Sequence, residues 1–199
     1  MTFNPYLNTA ERARIEAARI GVAGTGGLGS NCLAHLVRCG VRRFVLADFD
    51  TVSESNLNRQ FFFADQLGMS KVEAIAANLR RINPALELEL HPERVTAENA
   101  VHWFGDCDVT VEAFDDPDAK TMLIHALLPL GRPVVAASGI AGWGRSNAVR
   151  VQRIGKRLYV AGDCTTGISE ETPPHSPRVG IAAAQQANTV MALILGVEI

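Results

Sequence analysis

Paired cysteines are missing. Cys32, Cys39, Cys107 and Cys164 are all the chain has, and none stands in a CxxC arrangement. A closed tetrahedral zinc site is therefore not expected. Cys32 and Cys39 fall on one expected helix, separated by about 10.5 Å of rise, too far to share a metal or form a disulfide. Cys32, Cys39 and Cys107 lie in apolar sequence and read as small core residues. No run of 18 apolar residues occurs, which excludes a helical membrane span. The start, Met1-Thr2-Phe3-Asn4-Pro5, lacks the basic and apolar stretches of a secretory signal. Charge of one sign is scarce too: 19 Lys and Arg against 21 Asp and Glu leave a net −2. That balance excludes nucleic-acid binding by general electrostatics, though not a local basic pocket for phosphates. There is no internal repeat and no low-complexity tract. The expectation is a soluble cytoplasmic protein.

What is present is a real core in 199 residues, 47% of them hydrophobic, suited to one domain over 1–199. Short β-like apolar runs alternate with longer helical ones. This predicts an α/β fold, a Rossmann-like, mostly parallel sheet with helices on both faces. Expected strands are 19–23, 44–47, 86–90, 108–111 and 133–137. Expected helices are 9–18, 28–39, 71–82 and 117–130. Val72, Ile75, Ala76, Leu79 and Ile82 carry the helical spacing of the third, which Asn83-Pro84 ends; Pro117 opens the fourth. Beyond them, 147–153 and 157–160 read as a C-terminal antiparallel strand pair. The polar stretch 163–177, with its prolines, reads as a loop, and 178–195 as a last helix. Loops that long in a compact domain are commonly functional or mobile.

Gly24-Thr25-Gly26-Gly27-Leu28-Gly29 follows the first strand and opens a helix. Glycines there permit a tight turn and let backbone N–H groups approach phosphate oxygens, while the helix N-terminus favours an anion. Asp48 ends the next strand, where a carboxylate can accept hydrogen bonds from ribose hydroxyls. Strand, turn, helix and acid together point to nucleotide binding. An NAD-dependent oxidoreductase would use the same parts.

The segment Asp48-Phe49-Asp50-Thr51-Val52-Ser53-Glu54-Ser55-Asn56-Leu57-Asn58-Arg59-Gln60 separates the two. It resembles the signature of the ThiF/MoeB superfamily, adenylyltransferases that activate ubiquitin-like sulfur carriers and share their fold with ubiquitin-activating enzymes. Gly68-Met69-Ser70-Lys71-Val72, Arg81-Ile82-Asn83-Pro84, Glu112-Ala113-Phe114-Asp115-Asp116 and Ala182, Gln186 and Ala187 of the final helix extend the resemblance over nearly the whole chain. The likeness is to the compact ThiF branch of thiamine biosynthesis. The longer members' paired CxxC zinc site and N-terminal Arg-Tyr-x-Arg-Gln element have no counterpart here.

The resemblance implies ATP-dependent adenylylation of the C-terminal glycine of a ThiS-like sulfur carrier protein. A possible sulfur donor protein and a homodimer come with it as expected partners; no membrane or nucleic-acid partner is expected. Gly24, Gly26, Gly27, Gly29, Asp48 and Asn56 would bind nucleotide, with Arg59 and Lys71 on the triphosphate. Asp115 would hold Mg2+, with Asp116 an alternative metal ligand or helix cap. Arg59, Lys71 and Asp115 would be the catalytic set. A carboxylate is already ionised at neutral pH, so the reaction asks for alignment and charge neutralisation rather than a general base. Asp50 could orient Arg59 or the loop. Cys164, in Gly162-Asp163-Cys164-Thr165-Thr166-Gly167, is either a nucleophile acting after the adenylate forms or an incidental exposed thiol. Activation of the molybdopterin carrier and ATP-dependent dehydration of a modified tRNA base are the alternatives within the superfamily.

Overall fold

The computed structural model describes residues 4–199. The chain runs α1 (Thr9–Ala17), β1 (Arg19–Ala23), α2 (Gly27–Cys39), β2 (Arg43–Ala47), α3 (Lys71–Ile82), β3 (Glu87–His91), α4 (Ala97–Phe104), β4 (Val109–Glu112), α5 (Pro117–Leu127), β5 (Val134–Ala137), β6 (Arg150–Ile154), β7 (Leu158–Gly162) and α6 (Ser176–Leu195). Local chemistry sets several boundaries. Asn8 and Glu11 close a reciprocal capping box on α1, and Thr96 caps α4. Gly40 and Gly196, both left-handed, end α2 and α6.

The strands form one sheet in the order β3-β2-β1-β4-β5-β7-β6, parallel except for the β6–β7 pair. The expected Rossmann-like sheet and its C-terminal antiparallel pair are both present. Strand alternation sorts the core into two layers. Ile20, Val22, Phe44 and Leu46 face one layer with Leu33, Leu36, Ile75, Leu79 and Val190. Ala23, Val45 and Ala47 face the other, with Trp103, Phe104, Leu123 and Leu127 of α4 and α5. Burial of these aliphatic and aromatic side chains, at roughly 1.5–3 kcal/mol each, is the main force holding helices to sheet.

Helix α4 was not foreseen in the sequence, although Thr96-x-x-Asn99 followed by Ala100, Trp103 and Phe104 carries both a cap and a buried stripe. The last helix begins at Ser176 rather than 178, because Pro177 occupies its first turn. Among the described residues, no helix is long and apolar enough to cross a membrane.

The order places β1 between β2 and β4, so the chain leaves neighbouring strands toward opposite sides. In open α/β sheets, the crevice at such a switch point is where ligands bind.

Candidate nucleotide-binding site

A cleft of about 950 Å3 opens over the carboxyl ends of β1, β2, β4 and β5. Gly24, Gly26, Gly27, Asp48, Arg59, Lys71 and Asp115, named from sequence, all line it. Gly29 and Asn56 do not, and each has another task.

The loop between β1 and α2 needs glycine for reasons visible in its packing. Gly24 has φ +92°, and a Cβ there would sit 2.8 Å from the Ala113 carbonyl oxygen. A Cβ on Gly29 would meet the Gly24 oxygen at 1.9 Å. Gly29 thus lets α2 close against the turn that precedes it. Gly26 and Gly27 sit at the N-terminus of α2 on the cleft lining, and no side chain caps that terminus. Asp48 fastens the loop: its Oδ2 accepts from the Thr25 backbone N–H at 2.7 Å and hydroxyl at 3.0 Å. Its Oδ1 accepts from the Asp50 N–H at 3.0 Å. The buried carboxylate keeps lone pairs for further donors.

Asp50 pairs with Lys71 rather than with Arg59. Lys71 Nζ donates to Asp50 Oδ2 at 2.7 Å, with the lysine side chain only 8% exposed. The Lys71 backbone N–H also donates to the Asp50 carbonyl. A cation is therefore held at the start of α3, where the helix dipole alone would disfavour it. Arg59 donates to the Ser55 carbonyl and to Asn58 Oδ1, at 3.0 and 2.8 Å. Asn56 is buried, and its Oδ1 accepts from the Ser53 N–H at 3.1 Å, so it shapes the turn that carries Arg59. Asn31 completes the attachment by donating to the carbonyls of Gly27 and Arg59.

Asp115 and Asp116 differ in a way the sequence left open. Asp116 Oδ1 accepts from the Asp118 N–H and caps α5. Asp115 is exposed on the cleft wall and makes no hydrogen bond among the described residues. Among the described residues no cluster of three or more His, Cys, Asp or Glu is arranged to hold a metal. A free carboxylate on the cleft wall fits the donor set of magnesium, which takes one or two carboxylates and fills its other positions with non-protein oxygens.

Further cleft residues were missed in the sequence. Gln60 is buried on the lining, and its Oε1 has no hydrogen-bond partner. Such an orphaned acceptor is costly unless a ligand or water satisfies it. Lys120 Nζ donates to both Glu112 oxygens, at 3.1 and 3.0 Å, and to the Ala137 carbonyl at 3.1 Å. Glu112 has no exposed side-chain surface. Burial raises its pKa above the ordinary glutamate range, opposed by Lys120 and by the Phe114 and Ala137 backbone. Arg94 and Phe49 also line the cleft. The signal for Lys120 was faint, a lysine inside a helix. Phe49 sat unused within the recognised segment.

The far wall comes from Ser138, Gly139, Ile140 and from Thr166, Gly167 and Ile168 of the polar loop. This loop is anchored by Asp163, which accepts from Thr165, Thr166 and Arg178, the last at 2.7 Å. Burial alone would raise the Asp163 pKa; the bonds from Thr166, Thr165 and Arg178 outweigh it and hold the carboxyl below the usual range. Arg178 also donates to the carbonyls of Gly144 and Gly139. Cys164 is exposed at φ +56°, accepts from Gln152, and does not line the cleft. Cys32 and Cys107 are buried and Cys39 half-buried; burial pushes all three thiols up.

A glycine loop, the carboxylate that fastens it, a held lysine and a free carboxylate around one crevice make this a candidate nucleotide site in an α/β protein. The ThiF family model matches residues 2–199, and the chain belongs to the ThiF family. It is 30% identical to the adenylyltransferase and sulfurtransferase UBA4 of Candida glabrata, over 92% of this chain and 44% of that protein. It is 33% identical to the sulfur carrier protein adenylyltransferase of Thermus thermophilus, over 66% of this chain and 49% of that protein. The chain thus spans less than half the length of either relative. In fold it resembles Escherichia coli tRNA N6-threonylcarbamoyladenosine dehydratase, TcdA, solved in complex with ATP. The TM-score is 0.87 at 19% identity, covering 94% of this chain and 90% of that one.

Proposed function

We propose that this chain is an adenylyltransferase that activates the C-terminal glycine of a ThiS-like, ubiquitin-like sulfur carrier protein at the expense of ATP. The observation that carries the reading is the convergence of Arg59, the Asp50-held Lys71 and unpaired Asp115 on one cleft behind a glycine loop. An oxidoreductase would have no use for that set. The names of the relatives, a sulfur carrier protein adenylyltransferase among them, support it.

ATP fits the residues present. The α2 N-terminus and Gly26 and Gly27 receive phosphate oxygens, and Asp48 the ribose. The carrier's carboxylate oxygen forms a bond to the α-phosphorus as the bond to the β-phosphate oxygen breaks. Pyrophosphate leaves, and a carrier acyl-adenylate remains. Lys71 and Arg59 neutralise the charge that builds on the phosphates. Magnesium, when bound, would further offset that charge, with Asp115 as its protein ligand. No proton need move, because the attacking carboxylate is already ionised.

The reading includes one catalytic domain over 1–199, a cytoplasmic homodimer, no zinc, and a separate sulfur donor. A second reading, dehydration of a modified tRNA base, is favoured by the extent of the fold match with TcdA, and a third is activation of the molybdopterin carrier. Mass spectrometry of candidate carriers incubated with the protein and MgATP separates them: a C-terminal adenylate on the ThiS-like carrier alone is expected. Arg59→Ala and Lys71→Ala should each slow ATP–pyrophosphate exchange on the order of 100-fold. Near wild-type exchange in both variants would refute the site.

A further inference from the structure

At the edge of the cleft beyond Asp48, the Arg94 guanidinium carbon lies 3.8 Å from the centroid of the Phe49 ring. Phe49 follows Asp48 directly and is 51% exposed, a large apolar residue left open at the cleft. Arg94 enters from the segment between β3 and α4, and its own carbonyl is held by Asn99 Nδ2. Both side chains line the cleft, together with Glu93, Val95 and Phe114. If phosphates lie at α2 and ribose at Asp48, this is the end left for the base. No ion pair engages Arg94 among the described residues, so its planar face is committed only to Phe49.

We propose that Arg94, seated on Phe49, is the specificity-determining residue for the nucleotide base: its guanidinium plane is the surface on which a purine stacks. An arginine plane backed by an aromatic ring is a stacking platform, and stacking on such surfaces rewards the larger area of a purine over a pyrimidine. The capped start of α4 positions the platform, which gives that helix a part in nucleotide selection. The inference rests on the reading of the cleft as an ATP site.

The test is equilibrium binding of ATP, CTP and inorganic triphosphate to wild type, Arg94→Ala, Arg94→Lys, Phe49→Ala and the double alanine variant. Wild type should prefer ATP to CTP. Each alanine variant should lose about tenfold in ATP affinity, or 1.4 kcal/mol, and most of the preference over CTP. Triphosphate affinity should not change, and the double variant should be no weaker than either single one. Arg94→Lys keeps the charge without the plane and should behave as Arg94→Ala. Rescue by lysine, or equal loss of triphosphate affinity, would make Arg94 a phosphate charge and overturn the inference. So would variants that bind ATP and CTP as wild type does. If wild type itself fails to bind ATP, the proposed function falls with it.

Discussion

Lys120→Met should expose how much the floor of the cleft depends on one buried pair. Glu112 has no exposed side-chain surface, and Lys120, 22% exposed, supplies both of its close cationic contacts. Removing the lysine leaves a buried carboxylate with only backbone donors, and breaking such a pair costs about 3–5 kcal/mol. Because water reaches the lysine, the lower end applies, about 3 kcal/mol. For a domain of this size that is a fall in Tm of roughly 6–12 °C. The cost should depend on pH, with a sign set by Glu112. Its folded-state pKa is already raised by burial, and losing Lys120 raises it further. A carboxyl raised in the folded state binds its proton more readily there than when unfolded. Its contribution is therefore most favourable below the unfolded value, about 4.3, and declines as pH rises through the folded one. Urea denaturation of ligand-free protein at pH 5 and pH 8 should show a small deficit at the first and the full deficit at the second. Measuring against wild type cancels the other titrating groups. Adding Glu112→Gln should recover most of the loss, because it removes the stranded charge. A deficit below about 1 kcal/mol at pH 8, or one equal at both pH values, would refute the reasoning.

Gly29→Ala should cost at least about 3 kcal/mol or abolish soluble expression, since its Cβ would lie 1.9 Å from a backbone oxygen. Gly180→Ala, inside α6 with nothing within 4 Å of the added Cβ, should stay within about 1 kcal/mol of wild type; thermal melts of both check the contrast. Asp163→Asn should destabilise at pH 7 by about 3 kcal/mol, because Arg178 is left buried without its anion. The Asp163 pKa is depressed, so its stabilisation is present above about pH 4 and fades as pH falls below that. The gap between variant and wild type in denaturant titrations should close on that acid side; a gap that widens there would contradict the assignment. Cys164→Ala should leave pyrophosphate exchange intact, since the thiol lies off the cleft lining, and carrier thiolation then reports whether it acts later. Loss of exchange would place the thiol in the first half-reaction.

The sequence by itself determined what is local. The short apolar runs at 19–23 and 44–47, the helical spacing of Val72 to Ile82, and Pro117 at the start of α5 are short-range signals, and the elements stand within a residue of where those signals put them. The glycine loop and Asp48 were legible because the steric demand of a tight turn and the register of the next strand are written within a few residues. Only the tertiary structure decided which groups meet. Asp50 holds Lys71, not Arg59, because a bridge between Thr51 and Ser70 brings those segments side by side. Asp115 and Asp116 both line the cleft, but Asp116 commits an oxygen to capping α5 while Asp115 makes no hydrogen bond among the described residues, a difference composition does not encode. Lys120 reaches Glu112 and Ala137 across two strands, Arg178 reaches Asp163 and Gly144 across a loop, and Arg94 lands on Phe49 from a helix the sequence reading did not anticipate. Each of these depends on the packing of distant segments and on the loss of water around charged groups, and neither quantity exists until the chain has folded.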